Sequence, residues 1–283
     1  MLGPLRLHDC RRTISVGGPK QRTLLSLLLV RVNTMVSVDE MVDELWGVRV
    51  PDSAIHNIRL YIANLRRLLA RVGATSIVNL RGSGYQLVAE PGRLDIEVFR
   101  RDVADARRAV ADAEWDVALA LFERGVGLWR GRALADVPVS AALSAWCAGA
   151  DDERLGATED LVGALIMAGF PDRAASRAGD VIAADPLRER AHALLMRARY
   201  QVGDVAGALA AFDAARRHMV RQLGVEPGDD LRRLQQAVLS REPVPAGPVR
   251  AVGRRWLAVH FDRPNGLLPL EVLPGPTVPP AHR

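Results

Sequence analysis

Apolar positions recur at helical spacing over residues 53–71: Ile55, Ile58, Ile62, Leu65 and Leu69 share one stripe, and His56, Leu60, Ala63, Asn64, Arg67 and Arg71 lie roughly opposite. The pattern predicts a helix with one core face and one free face, its first turn capped by Ser53. The spacing then changes. Ile77 to Leu80 and Tyr85 to Val88 predict two short strands around the turn Arg81-Gly82-Ser83-Gly84. Upstream, Leu2 to Val16 alternates apolar and polar positions with a polar break at Asp9 to Arg12, which predicts a small antiparallel sheet whose start reads as clipped. Gly17-Gly18-Pro19 opens a predicted helix from Lys20 to Val32 with Leu24, Leu25, Leu28 and Val32 as its core stripe, Pro19 suiting the first turn. Ser37-Val38-Asp39-Glu40 reads as a capping box for a second helix, in which Ser37 accepts from the Glu40 N–H and Glu40 reaches back; Gly47 ends that helix after Trp46. Three helices, a small sheet and a hairpin make a winged helix, in which one helix enters the major groove of DNA and the hairpin touches the backbone beside it.

Pro91-Gly92 marks a short linker, and the pattern beyond it is helical: residues 95–113, 115–129, 142–168, 171–184, 187–202 and 205–223 read as successive amphipathic helices. Within them Gly169 and Gly203 stand 34 positions apart, as do Ala174 and Ala208, with Ala178 and Phe212 four further on. That is the spacing of tetratricopeptide helix pairs, where small residues let helices approach closely and stacked pairs build a curved layer. The fold class is therefore mostly α: an N-terminal winged helix over residues 1–90, an all-α tetratricopeptide-like domain over 93–242, and a tail over 243–283 whose proline and glycine content predicts disorder.

Charge sharpens this division. Residues 1–90 carry 12 basic and 7 acidic side chains, residues 91–243 carry 21 and 24, and residues 244–283 carry 5 and 2. A basic front beside a slightly acidic middle points to nucleic acid at one end and protein contacts at the other. No Asp or Glu occurs from Ala54 to Ala89, so every formal charge there is an arginine: Arg59, Arg66, Arg67, Arg71 and Arg81. Elsewhere arginine itself carries no message, since 37 arginines against the single Lys20 reflect a GC-rich genome. Cys10 and Cys147 give neither a disulfide framework nor a metal spacing, no signal peptide opens the chain, and no apolar run is long enough to span a bilayer; a soluble cytoplasmic protein, nucleoid-associated when on DNA, is expected.

Four motifs carry a family resemblance. Gly17-Gly18-Pro19-Lys20-Gln21-Arg22 with Leu24-Leu25, Val38 to Gly47 ending in Leu45-Trp46-Gly47, Tyr61 with Leu65-Arg66-Arg67-Leu68-Leu69, and Gly84-Tyr85 together resemble the DNA-binding domain of the Streptomyces antibiotic regulatory protein family, an OmpR-like winged helix of the two-component output type. Leu128-Trp129-Arg130-Gly131, Pro186-Leu187-Arg188-Glu189 and Gly224-Val225-Glu226-Pro227-Gly228 with Leu231 and Leu234 resemble the bacterial transcriptional activation domain of the same regulators. The resemblance covers residues 3–242. It implies a transcriptional activator of antibiotic and other secondary-metabolite gene clusters, two copies on direct repeats of promoter DNA, and RNA polymerase as a partner. It also implies that the helix from Ser53 lies in the major groove, that Arg81 to Tyr85, including Gly82, form the wing, and that the loop Gly47, Val48, Arg49, Val50 and Pro51 faces polymerase.

Arg67, Asn64 and His56 project from the free face, and Arg or Asn pairs bidentately with guanine or adenine edges, so these three are the expected base readers. Arg59 and Arg66 flank the apolar stripe and are placed for phosphate. Leu60 sits mid-face, where it either meets a thymine methyl or is an ordinary exposed leucine; Ala63 lies beside it, and Arg71 ends the row. Trp129 is expected in the core, and Arg130, Arg188 and Glu189 are expected to pair with one another inside the fold.

Catalytic, cofactor and metal sites are not expected. The six histidines are scattered, there is no Gly-x-Ser-x-Gly, and Asp39, Glu40, Asp43 and Glu44 read as dipole-complementing acids at a helix start rather than metal ligands. Gly253-Arg254-Arg255 faintly resembles the start of the nucleotide-binding module of larger relatives, but no Gly-Lys-Ser/Thr phosphate loop follows. Two rivals remain open: a helical-repeat scaffold whose winged helix no longer reads DNA, and a truncated regulator that binds without activating.

Overall fold

The structure is a computed structural model of the chain and describes residues 1–8, 13–73, 75–80, 84–138 and 140–244. The sheet expected over Leu2 to Val16 is reduced to β1 (Leu7–His8) and β2 (Thr13–Ile14), one antiparallel pair on either side of the polar break. Leu2 and Leu5 are buried for a different reason. The Leu2 carbonyl accepts from the Arg130 N–H at 2.8 Å and the Leu5 N–H donates to Asp136 Oδ1 at 2.7 Å, so this segment lies against residues 130–136 of the rear half.

Helix α1 (Pro19–Val30) starts at its proline and is buried from Thr23 to Leu29, wider than the stripe expected of it. It is packed on several sides, by the helices and sheet of the winged helix and by α6 (Ala141–Met167) from behind. Val32 falls in the turn beyond it. Met35–Ser37 forms a strand, β3, that the sequence pattern did not announce; then comes α2 (Val38–Trp46). Ser37 Oγ accepts from the Glu40 N–H at 3.0 Å as a cap should, but the Glu40 carboxylate, expected to reach back, faces Arg31 Nη1 at 3.5 Å. After α3 (Ala54–Val72), strands β4 (Thr75–Leu80) and β5 (Gly84–Ala89) form the hairpin, and the sheet runs β3-β5-β4 with all neighbours antiparallel. Its inner row, Val36, Ile77, Tyr85, Leu87 and Ala89, is buried.

The rear half contains α4 (Asp95–Ala111), α5 (Trp115–Gly127), α6, α7 (Pro171–Ala184), α8 (Glu189–Gln201), α9 (Val205–Leu223) and α10 (Asp229–Leu239), the last not among the expected helices. Three hairpins, α4–α5, α6–α7 and α8–α9, share one turn. Gly169 and Gly203 both adopt φ 83°, and in each case the next residue's N–H reaches back to a carbonyl five positions earlier: Phe170 to Leu165 at 2.8 Å, Asp204 to Arg199 at 3.0 Å. The same turn joins α4 to α5, with Ala113 at φ 57° and Glu114 N–H on the Ala109 carbonyl at 2.8 Å. Five residues after each left-handed position stands an alanine with no exposed surface, Ala118, Ala174 and Ala208, where the helices of a pair cross closely. Nine residues after it stand Phe122, Ala178 and Phe212, all buried. Among the described residues the unit therefore occurs three times. Alanine in place of glycine and the length of α6 hid the first copy.

Charged groups in this half are used internally. Arg188 chelates Glu159 at 3.0 and 3.1 Å and reaches Asp152 at 2.5 Å; Arg190 pairs with Asp160, which also takes Arg107 at 2.6 Å. Arg130, Arg188 and Glu189 do pair inside the fold, but not with each other: Arg130 lies 3.3 Å from Asp95, and Glu189 accepts from the Gly228 N–H at 2.8 Å. The cause is position. Arg188 and Glu189 bracket the start of α8 and face α6 and the turn before α10 respectively.

The two halves share one hydrophobic cluster that runs from Met1 to Val238. Across the junction Thr23 Oγ1 donates to the Pro138 carbonyl at 3.1 Å, and Asp136 takes both the Leu5 N–H and the Arg22 guanidinium. Burial pushes the Asp136 pKa up, but those two donors outweigh it and hold the carboxyl below its ordinary value.

The left-handed Ala113 gives a test of the shared turn. Ala113→Gly is expected to stabilise the chain by about 0.5–1 kcal/mol, because relief of the Cβ clash exceeds the entropy that glycine adds to the unfolded state. A urea midpoint at or below that of the parent would contradict the turn as described.

Candidate nucleic-acid interface

Helix α3 is fixed by its underside. Ala54, Ile58, Ile62, Leu65 and Leu69 are all buried, with Tyr61 and Leu68 half-buried at the margin. Ile55, placed on the stripe from sequence, is 50% exposed. The buried set steps by four, four, three and four from Ala54, and Ile55 sits a full 100° off that line. Ser53 does not cap the helix either. Its ψ of 3° is not the extended conformation that capping requires, and its Oγ accepts instead from Asn57 Nδ2 at 3.1 Å. At the far end Gly73, at φ 68°, closes α3 with its N–H on the Leu69 carbonyl at 3.1 Å.

The opposite face is open. His56, Arg59, Leu60, Ala63, Arg66, Arg67 and Arg71 are exposed and Asn64 is half-buried. The structure joins two of the expected base readers to one another, an Arg67 guanidinium N–H donating to Asn64 Oδ1. Arg66 has a second task that the sequence did not reveal: its Nε donates to the Ile77 carbonyl at 2.8 Å and its guanidinium sits 5.8 Å from the Tyr85 ring centroid. The bond ties α3 to the hairpin and leaves the terminal guanidinium nitrogens outward. Tyr85, expected to face DNA, is only 8% exposed. Its odd-numbered position on β5 faces the core with Leu87 and Ala89, so its ring supports Arg66. Arg81 and Gly82, the expected wing contacts, lie outside the described residues.

Gly84 sets how the hairpin lies. A Cβ there would come within 2.1 Å of the Val36 carbonyl oxygen and 2.9 Å of Ser37 Cα, so only glycine lets β3 and β5 approach at this register. The loop Gly47–Pro51 is equally well founded at its base and open at its tip. Gly47, at φ 54°, closes α2 on the Asp43 carbonyl at 2.8 Å; Lys20 Nζ donates to the Leu45 carbonyl at 2.7 Å and stands 4.7 Å from the Trp46 ring centroid. Beyond these anchors Val48 is fully exposed, with Arg49 and Val50 beside it and Pro51 half-buried.

Electrostatics distinguishes this face from the rest of the surface. Among the described residues, none of Arg59, Arg66, Arg67 and Arg71 lies within salt-bridge distance of a carboxylate, whereas most arginines of α4–α10 do. Asp52 stands exposed just before α3 begins, and on α2 burial, then the neighbouring Glu40 and Asp43, raises the pKa of Glu44. Among the described residues no group of three or more His, Cys, Asp or Glu side chains is placed to hold a metal ion, and no helix is long and apolar enough to cross a membrane. An anchored helix with a carboxylate-free guanidinium face beside a three-stranded sheet and hairpin is the geometry of a winged-helix DNA-binding regulator.

Comparison with known proteins agrees. Residues 15–87 match the family described as transcriptional regulatory protein, C terminal, and residues 94–239 match the bacterial transcriptional activator domain. The chain is 32% identical over 250 residues to the regulatory protein DnrI of Streptomyces peucetius, covering 86% of this chain and 92% of that one. It is 33% identical over 248 residues to the transcriptional regulator RedD of Streptomyces coelicolor, covering 86% and 71%. Against the regulatory protein AfsR of Streptomyces griseus the identity is 35% over 254 residues, 88% of this chain but 25% of the relative. The solved structure of Mycobacterium tuberculosis EmbR in complex with a low affinity phosphopeptide superposes with a TM-score of 0.81 at 25% identity, over 87% of this chain and 65% of that one. The chain belongs to the Streptomyces antibiotic regulatory protein family, whose members regulate transcription and are not enzymes.

The glycine at the strand crossing tests the geometry of the site. Gly84→Ala is expected to lose about 1–3 kcal/mol of stability, as overpacking against backbone does, read as a lower urea midpoint. An unchanged midpoint would mean that β3 does not lie against β5 as described.

Proposed function

We propose that this regulator is a sequence-specific activator of a secondary-metabolite gene cluster. Two copies bind direct repeats about one helical turn apart near a promoter, and the bound pair recruits RNA polymerase, the chain residing in the cytoplasm at the nucleoid. The observation that carries the reading is the row of α3 arginines with no carboxylate partner among the described residues, which offers phosphate its natural counter-charge. In this reading residues 1–90 hold DNA and residues 93–242 meet the second copy. Residues 243–283 are a tail without an assigned part.

Each exposed side chain then has a role. Arg67, Asn64 and His56 read base edges, the Arg67–Asn64 bond presenting the two groups as a unit. Arg59 and Arg71 neutralise phosphates, as do the free ends of Arg66, while Arg81 and Gly82 bring the wing to the backbone. Val48 and Val50, at the tip of a pinned loop, offer polymerase an apolar surface flanked by Arg49.

Retardation of promoter fragments by purified variants tests the DNA half. Arg67→Ala is expected to relax discrimination at one base position by about 1–3 kcal/mol, and Arg81→Ala to weaken all sequences alike. If Arg67→Ala weakened every sequence equally, the base-reading assignment would be wrong. A promoter reporter tests the rest: Val48→Ser should lower activation while retardation is unchanged. Undiminished activation would remove the loop from the mechanism.

A further inference from the structure

Leu60 occupies the middle of the α3 outer face, one turn after His56 and one turn before Asn64, with Arg67 two turns on. It is 49% exposed, and it is not among the partly buried residues packed against the core. Ala63, also exposed, lies beside it and adds almost no bulk. A lone leucine on a protein surface needs no explanation. One set between polar groups on the face that enters a major groove has few possible partners. The groove floor presents hydrogen-bond donors and acceptors, and the C5-methyl of thymine is its one protruding apolar group, the same position of cytosine carrying only hydrogen. Facing a purine edge or an amino or carbonyl group, the leucine would take water from a donor or acceptor and return no hydrogen bond, and facing the cytosine C5–H it would have no methyl to pack against.

We propose that Leu60, given room by Ala63, reads a thymine C5-methyl in each half-site. The inference deepens the DNA-binding reading and rests on it. It assigns specificity to an apolar contact at the centre of the helix, with the hydrogen-bonding readers His56, Asn64 and Arg67 on either side. Ile55 supplies an internal control. It is as exposed as Leu60, but it shares its flank with Arg59 and Arg66, and Arg66 points to the hairpin at Ile77. Ile55 therefore borders the groove and reads nothing at its floor.

The test uses the full chain and a duplex that it selects from a randomised pool, resynthesised with deoxyuridine in place of each thymine in turn. At one position per half-site, removal of the methyl is expected to weaken binding about fourfold, the effect of one buried methyl group. Leu60→Ala should bind the thymine and uracil duplexes equally, while Ile55→Ala keeps the fourfold difference; circular dichroism verifies folding. Equal binding of thymine and uracil duplexes by the parent at every position, or a full uracil effect in Leu60→Ala, overturns the methyl contact while DNA binding stands. Failure to select any duplex overturns the underlying reading and the inference with it.

Discussion

A carboxylate within a few ångströms of the α3 guanidinium groups would neutralise them in the free protein and repel phosphate in the complex. Among the described residues no carboxylate lies within salt-bridge distance of them. No acidic residue occurs from Ala54 to Ala89; Asp52 precedes the helix, and on α2 Glu40 meets Arg31 and Glu44 is partly withdrawn by burial. Charges left unpaired on an exposed face cost little in water, because solvent and counterions screen them. In the proposed complex with a duplex the same charges would release the condensed counterions of the phosphates they replace, a large and sequence-independent source of affinity. The buried underside makes this possible, since Ile58, Ile62, Leu65 and Leu69 hold the helix with no need for polar bonds on its outer side.

The rear half follows the opposite rule. Glu159 and Asp160 are buried in α6 and take Arg188, Arg190 and Arg107 as partners. Such pairs are weak evidence of net stability, since desolvation offsets their attraction, but removing one partner would strand the other as a buried charge. The shared cluster and the Asp136 junction then join this half to the front, so the two halves meet as one packed body.

Much of this was legible in the sequence because it rests on period and on single special residues. The α3 stripe, the cap at Ser37, the glycine stops and the 34-residue spacing all have local causes. What escaped depends on contacts between distant residues. Ile55 looks like core until Ala54 is known to be the buried start of the line. Ser53 has the composition of a cap but not its dihedral angles. Arg66 reads as one more phosphate ligand, and only the pairing of β4 with β5 brings the Ile77 carbonyl to its Nε. Tyr85 was assigned from a motif, whereas strand parity decides that it faces inward. The first helix pair, α4–α5, was hidden by Ala113 and by the length of α6, both of which break a repeat that is plain in space.

The most direct measurement of the central claim is the dependence of promoter-fragment affinity on salt. The logarithm of the association constant should fall linearly with the logarithm of salt concentration, and each of Arg59→Gln, Arg66→Gln and Arg71→Gln should reduce the slope by about 0.9 for every phosphate it leaves without a counter-charge. A slope near zero for the parent chain, or slopes left unchanged by all three substitutions in folded protein, would contradict it.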